Sequence, residues 1–213
     1  MRQYGVTKMS AVSTKVNEFI YFISAADNRL RKIYQDGLAF ALQKFGVDQV
    51  VLATVEKNYC EDTYIILVFD CFGIAIGGIR IEIKSPYNKI PIEKCKAPYQ
   101  KLIQSKIDRE SLNSNVVAEL AGLWVKPEAR GMGLGPQLVF EATELGFGLG
   151  CDSLICMPPK HTIDYFTRLG YVVDTEIPLM VYPDERYLSS VAWCKNTKSK
   201  NLKLVSSQFS LDV

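Results

Sequence analysis

The chain has 213 residues, 48% hydrophobic and 23% charged, with a formal net charge of +2. These values suit a globular protein with one buried core, and no dense basic stripe is present to recruit nucleic acid. The longest unbroken apolar run, Tyr64–Phe69, is too short to span a bilayer, and no apolar block of signal-peptide length follows a basic start. A cytoplasmic protein that binds neither membrane nor nucleic acid is expected.

In chain order, Glu18–Ala25 is apolar and aromatic and predicts a strand. Asp27 is placed to cap a helix running to about Lys44, with Leu30, Ile33, Tyr34, Leu38, Ala41, Leu42 and Phe45 near helical spacing and Gly46 at its end. Val50–Val55 and Thr63–Asp70 are β-branched and aromatic, hence strands. In Ile74–Lys84, Ile79, Ile81 and Ile83 alternate with Arg80, Glu82 and Lys84, which predicts one buried face and one wet face. Gly77-Gly78 marks a bulge or a tight approach. Ser85–Asn115 is polar, carries Pro86, Pro91 and Pro98, and includes a helix near Tyr99–Glu110. It reads either as a solvated connection or as a lid or substrate wall.

Val116–Val125 predicts a strand and Pro136–Leu149 a helix, with Leu138, Ala142, Leu145 and Leu149 on one face and proline in the first turn. Ser153–Met157 is a short buried strand, and Ile163–Leu169 a short helix stopped by Gly170. Tyr171–Ile177 and Tyr187–Cys194 read as the last strands. Residues 195–213 form a tail that is an added strand, a dimer arm or disordered. The element order implies an α/β (mixed α+β) sheet with helices on both faces. The six cysteines lack a C-x-x-C pair, and with His161 as the one histidine no zinc cluster of usual spacing can be built. Buried, reduced thiols are expected, although Cys151 and Cys156 flank a strand and leave a cysteine nucleophile open.

Arg130-Gly131-Met132-Gly133-Leu134-Gly135 then opens the Pro136 helix. Alternating glycines before a helix leave amide hydrogens and the positive dipole end free for an anion. A dinucleotide fingerprint needs a further glycine inside the helix, and a Walker loop ends in Gly-Lys-Ser/Thr; neither is present. The segment resembles the pyrophosphate motif of the Gcn5-related N-acetyltransferase (GNAT) superfamily, Gln/Arg-x-x-Gly-x-Gly/Ala, through Arg130, Gly133 and Gly135. Leu123–Arg130 resembles the family's strand and turn, and Tyr165-Phe166-Thr167-Arg168-Leu169-Gly170-Tyr171 its late helix. The likeness covers about Val116–Tyr171.

The resemblance implies an acyl-CoA N-acyltransferase fold: a mixed, mostly antiparallel sheet with a splayed parallel strand pair, here Val116–Val125 and Ser153–Met157. Residues 1–194 would form one such domain, with residues 84–115 as an inserted excursion. The donor would be acetyl-CoA or another acyl-CoA, without a metal. Leu123, Trp124 and Val125 would bond its pantetheine arm as an added strand. Arg130, Gly131, Met132, Gly133, Leu134 and Gly135 would hold its pyrophosphate.

For chemistry, Glu119 is the candidate base. Strand alternation places it with Ala121, Leu123 and Val125 on a largely apolar face, where a carboxylate holds its proton more tightly. The family's tyrosine acid falls on Phe166, so either a helix shift presents Tyr165 or no tyrosine acid exists. His161 at the cleft rim is a structural residue, an alternate base or a substrate contact. The expected activity is acetyl transfer to a primary amine of a small molecule or peptide. The alternatives are transfer of a longer acyl chain from CoA or a carrier protein, as in N-acyl amino acid synthases, and a non-catalytic CoA-binding module. A homodimer through the last strands is a fold-level expectation.

Overall fold

The computed structural model describes residues 20–24, 27–43, 62–87, 89–94, 99–112, 115–181 and 188–197. The expected strand at Val50–Val55, the helix stop at Gly46, Cys60 and Cys95, and the tail beyond residue 197 lie outside them. Strand β1 (Ile20–Ser24) precedes helix α1 (Asn28–Gln43). Asp27 Oδ1 accepts the amide hydrogens of Arg29 at 2.7 Å and Leu30 at 3.1 Å, the cap that the sequence predicts. Strands β2 (Thr63–Phe69) and β3 (Ala75–Ile83) follow, then the short α2 (Pro91–Lys94) and α3 (Gln100–Ser111). The second half holds β4 (Val117–Val125), α4 (Leu134–Gly148), β5 (Ser153–Cys156), α5 (Ile163–Arg168) and four short strands. These last are β6 (Val172–Val173), β7 (Met180–Val181), β8 (Leu188–Ser189) and β9 (Ala192–Lys195). Tyr171–Ile177 therefore contributes two strand residues, and Tyr187–Cys194 divides between two sheets.

Among the described residues the main sheet has seven strands in the order β1-β2-β3-β4-β5-β9-β6, and β7-β8 forms a separate pair. Among the described residues β4 and β5 run parallel and the other pairs are antiparallel. One face packs on α4 and α5 through Ile66, Ile79, Ile81, Leu120, Leu138 and Leu154. The other face carries two apolar clusters. One joins α1 to β2 through Tyr34, Leu38, Ile65, Leu67 and Trp124; the second joins α2 and α3 to the sheet through Ile92, Ile103, Ile107, Val117 and Ile155. Helices thus cover both faces, as the element order implies.

The Ser85–Asn115 excursion is a covering layer. Ile90, Ile92, Ile103 and Ile107 are fully buried beneath it. Its rim is fastened by Lys106 Nζ to Asp174 Oδ1 at 2.8 Å and Glu176 Oε2 at 2.9 Å, and by the Lys195–Glu110 ion pair. The expected wet face of β3 is not formed: Arg80 is 6% and Glu82 1% exposed, on the side of the sheet where α1 packs. Alternation along the strand is present, but a second helical layer closes the polar side.

A second correction lies in β4. Its pairing with β3 shifts between Arg80↔Ala121 and Gly78↔Trp124, so β4 carries one extra residue there. Gly122 takes φ +60°, and a Cβ on it would meet the Tyr34 hydroxyl oxygen at 2.1 Å. Glycine satisfies both demands, and Tyr34 O–H donates to the Gly122 carbonyl at 2.7 Å, pinning the bulge to α1. Past the bulge the phase inverts. Trp124 joins Glu119 and Ala121 on the α1 side, while Leu123 and Val125 pack on the α4 cluster. The expected face of Glu119, Ala121, Leu123 and Val125 is therefore not formed.

Candidate active site

The loop between β4 and α4 has the geometry of an anion cradle. A single 3₁₀ turn, Pro127–Ala129, leads into Arg130. Gly131 and Gly133 take φ +82° and +79°, with nothing within 4 Å of a Cβ on either. Side chains there would strain the backbone and fill the space a ligand needs. Gly133 caps α4, which starts at Leu134, two residues before the expected Pro136. Among the described residues no backbone carbonyl accepts from the amides of Gly131 through Gly135. Such unpartnered amides and the positive end of the α4 dipole both favour an anion. Arg130 is exposed, and its Nε donates to the Val125 carbonyl at 3.3 Å, which ties its side chain to the end of β4. Beside it opens a cavity of about 350 Å³ lined by Phe40, Ala41, Gln43, Pro127 and Arg130.

The strand leading to this loop is split from its parallel neighbour. Val117–Leu120 pairs with Ser153–Cys156, and there the ladder stops. β4 continues to Val125, held on its other edge by Gly77 and Gly78. Leu123, Trp124 and Val125 thus lie where β4 has lost β5, next to the amide cradle. Trp124 keeps its ring in the α1 cluster, so it can offer a ligand only backbone groups.

Tyr165 reaches this opening from α5. A methyl on Gly135 would stand 3.9 Å from its hydroxyl oxygen, which puts that oxygen beside the first turn of α4. Burial raises the phenol's pKa against a smaller opposing hydrogen bond from Thr162, so the hydroxyl keeps its proton. Phe166 is turned inward, 4% exposed, and meets Tyr171 edge-on at 5.4 Å. α5 therefore presents Tyr165, one residue before the family position, and buries Phe166. His161 is exposed in the 3₁₀ turn Lys160–Thr162 before α5. The cysteine alternative has the wrong chemistry: burial pushes the Cys151 thiol up to about 12 and Cys156 well above its usual range, where little nucleophilic thiolate exists.

Glu119 lies on the opposite side of the sheet from α4, in a polar seam between the two apolar clusters. It is 4% exposed, and its register partner on β3 is Glu82. Its Oε2 accepts the Ile92 amide hydrogen at 2.7 Å. Burial first, then the Glu82 charge, pushes its pKa up to about 8 against that hydrogen bond and Arg80. Arg80 Nε lies 2.8 Å from Glu82 Oε1. The cover over Glu119 is itself braced: Glu93 Oε2 accepts from the Ile90 amide at 2.8 Å, half of a capping box. Its Oε1 receives Lys84 Nζ at 2.5 Å and Gln104 Nε2 at 2.8 Å.

Two features thus stand together: an open amide cradle at a helix start and a parallel strand pair that parts just before it. The sequence model of the Acetyltransferase (GNAT) family matches residues 47–171, over half of the chain. The chain belongs to the GNAT family. A search of curated proteins by sequence finds no match. Among solved structures, the N-acyl amino acid synthase FeeM from uncultured soil microbes is similar at 10% identity and TM-score 0.65, covering 86% of this chain and 93% of that one. Tetrahymena GCN5 is similar at 14% identity and TM-score 0.51, over 82% and 94% of the two chains. The NatC complex bound to Gag peptide and CoA contributes a chain similar at 13% identity and TM-score 0.53, over 84% and 99%. At these identities the likeness is one of fold: a GNAT acyl-CoA N-acyltransferase fold with its splayed parallel pair.

Sequence reasoning missed three parts of the seam: Arg80, Glu82 and the Ile92 amide that covers Glu119. The available signal was in the excursion, where four isoleucines, Ile90, Ile92, Ile103 and Ile107, need an apolar face to cover. The β3 side carrying Arg80 and Glu82 lies in that neighbourhood. No helix among the described residues is long and apolar enough to cross a membrane.

Proposed function

We propose that this GNAT protein transfers an acetyl group from acetyl-CoA to a primary amine of a small molecule or peptide. The observation that carries the reading is the run of open amides from Gly131 to Gly135 beside the parted strands. The cradle fits a pyrophosphate, and Arg130 adds a cation at its edge. The β4 edge at Leu123, Trp124 and Val125 fits the amide-rich pantetheine arm as an added strand. No metal enters this scheme.

Glu119 acts as the base. It takes the proton that the acceptor ammonium must lose before its nitrogen attacks the thioester carbon. Its raised pKa suits that task, since a carboxylate of ordinary basicity is a poor acceptor from an amine. The Ile92 amide seals Glu119 in this structure, so the 89–94 cover lifts when the acceptor arrives. Tyr165 lends its phenolic proton to the sulfur as the carbon–sulfur bond breaks and is reprotonated by the second proton that the nitrogen gives up in becoming an amide, while Glu119 passes the first proton to solvent. His161, exposed before α5, serves as a substrate contact at the rim.

A second reading is transfer of a longer acyl chain, from CoA or a carrier protein, in the manner of an N-acyl amino acid synthase. Its support is the fold likeness to FeeM and the apolar layer that α2 and α3 lay over the sheet. A third is a CoA-binding module without catalysis, supported by the sealing of Glu119 and by Phe166 at the family's tyrosine position. A panel of acyl-CoA donors and amine acceptors, read by free-thiol release, separates them. Acetyl-CoA turnover exceeding that of long-chain donors is the expected result. Preference for long chains favours the second reading, and CoA binding without thiol release on any amine favours the third.

A further inference from the structure

Glu82 is the residue of this molecule that the proposed reaction leaves without a task. It is buried to 1% exposure in a central strand, and Thr63, its register partner on β2, is equally buried. On its other side Glu82 stands directly across the β3–β4 ladder from Glu119. Directly opposed residues of antiparallel strands hold their Cβ atoms about 4.5–5.5 Å apart. Two carboxylates at that separation, out of water, do not both ionise freely. They titrate as a pair.

The surroundings decide which member carries the charge. From β3, Arg80 places Nε 2.8 Å from Glu82 Oε1. From α2, the Ile92 amide donates to Glu119 Oε2, while Glu93 is held by Lys84 and Gln104. From β5, Ile155 pairs with Glu119 and brings no charge, and the Cys156 thiol, on the other side of the sheet, is kept neutral by burial. Among the described residues the Arg80 guanidinium is the cation set beside the two facing carboxylates, and it pairs with Glu82. Charge balance leaves the proton on Glu119.

We propose that Glu82 is a positioning residue for the reaction: its carboxylate, charge-paired with Arg80, faces Glu119 across the ladder and sets how strongly Glu119 holds a proton. Glu82 touches neither substrate nor reacting atoms. It acts by making Glu119 more basic than a lone buried carboxylate capped by one amide would be. This inference rests on Glu119 as the base, but its test does not need turnover.

The test is a carboxyl-carbon NMR titration of the full chain with labelled glutamate, the Glu119 signal being assigned by its loss in Glu119→Gln. In Glu82→Gln the Glu119 midpoint moves down by about one pH unit or more. In Glu82→Asp, which keeps the charge, it stays near the native value. In Arg80→Met it moves the opposite way, because both carboxylates lose their cation. A residue that merely fills space cannot give shifts of opposite sign from two neighbours. Should Glu82→Gln fail to fold, the Asp and Met variants still decide. An unmoved midpoint in Glu82→Gln, or a downward one in Arg80→Met, overturns the role of Glu82. Full thiol-release activity in Glu119→Gln instead overturns Glu119 as the base and leaves the measured coupling intact.

Discussion

The two halves of the candidate site are built on opposite principles. The loop from Arg130 to Gly135 works through absence: no side chains at Gly131 and Gly133, no carbonyl partner among the described residues for the amides of Gly131 through Gly135, open space above those two glycines. The seam at Arg80, Glu82 and Glu119 works through enclosure, with charged side chains buried on the sheet face that α1, α2 and α3 cover. The first is prepared for a ligand that brings charge. The second holds charge already and must be opened to be used. A donor cradle can stand open to water because its amides are solvated cheaply. A base gains proton affinity only by losing water.

That contrast can be broken by experiment, and the largest effect is expected at the enclosed half. Glu119→Gln removes the base and lowers turnover by roughly 10²–10⁴-fold, while CoA affinity by calorimetry stays at the native value. Native-like turnover would take Glu119 out of the reaction. The same variant carries a stability prediction of definite sign. Glu119 titrates near 4.5 unfolded and about 8 folded, so its favourable contribution is complete below the lower value. That contribution is lost as pH rises through the upper one. Wild-type protein therefore loses thermal stability relative to Glu119→Gln between mildly acidic and mildly alkaline buffer; parallel melting curves across that range would contradict the assignment. In activity, kcat/KM rises with pH through the same upper value.

Next in size is Tyr165. Its change to phenylalanine lowers kcat by about 10²-fold, the lower end for a positioned acid. Phe166→Tyr does not repair it, because residue 166 faces the core; the buried hydroxyl instead destabilises the fold by about 1–3 kcal/mol. Rescue by Phe166→Tyr would mean that α5 turns in the working enzyme. At the open half, Gly133→Ala forces a side chain onto a backbone at φ +79°. Strain of about 1–3 kcal/mol weakens CoA binding by on the order of 10-fold or more, with kcat at saturation little changed. His161→Ala is expected to do least, leaving the pH profile unaltered; a displaced limb would give His161 a role in proton transfer.

The open half was the more legible in sequence for the same reason that it is open. A backbone at positive φ with a ligand above it admits little but glycine, so Gly131-x-Gly133 announces its geometry in residue types. Asp27 at the start of α1 was readable likewise, through a side chain that caps its own neighbours. The enclosed half was legible only in part. The burial of Glu119 follows from its apolar strand, but Gly122 inverts the phase after it, and a bulge leaves no trace in alternation. Arg80 and Glu82 read as solvent-facing because period-2 patterning tells two faces apart without saying what covers them. On that side of the sheet the helix packed on β3 is α1, with α2 and α3 on neighbouring β4, and nothing local to β3 encodes that layer. Phe166 and Tyr165 show the reverse case: the family pattern points to residue 166, and the contact with Tyr171 decides that it packs inward.

The most direct measurement is an amide ¹H–¹⁵N titration of the full chain with coenzyme A. The account predicts that the signals of Gly131, Met132, Gly133 and Gly135 move most, with Leu123 and Val125 following and Glu119's neighbours on α2 hardly responding. Saturating coenzyme A that leaves the glycine-loop amides unmoved would contradict it.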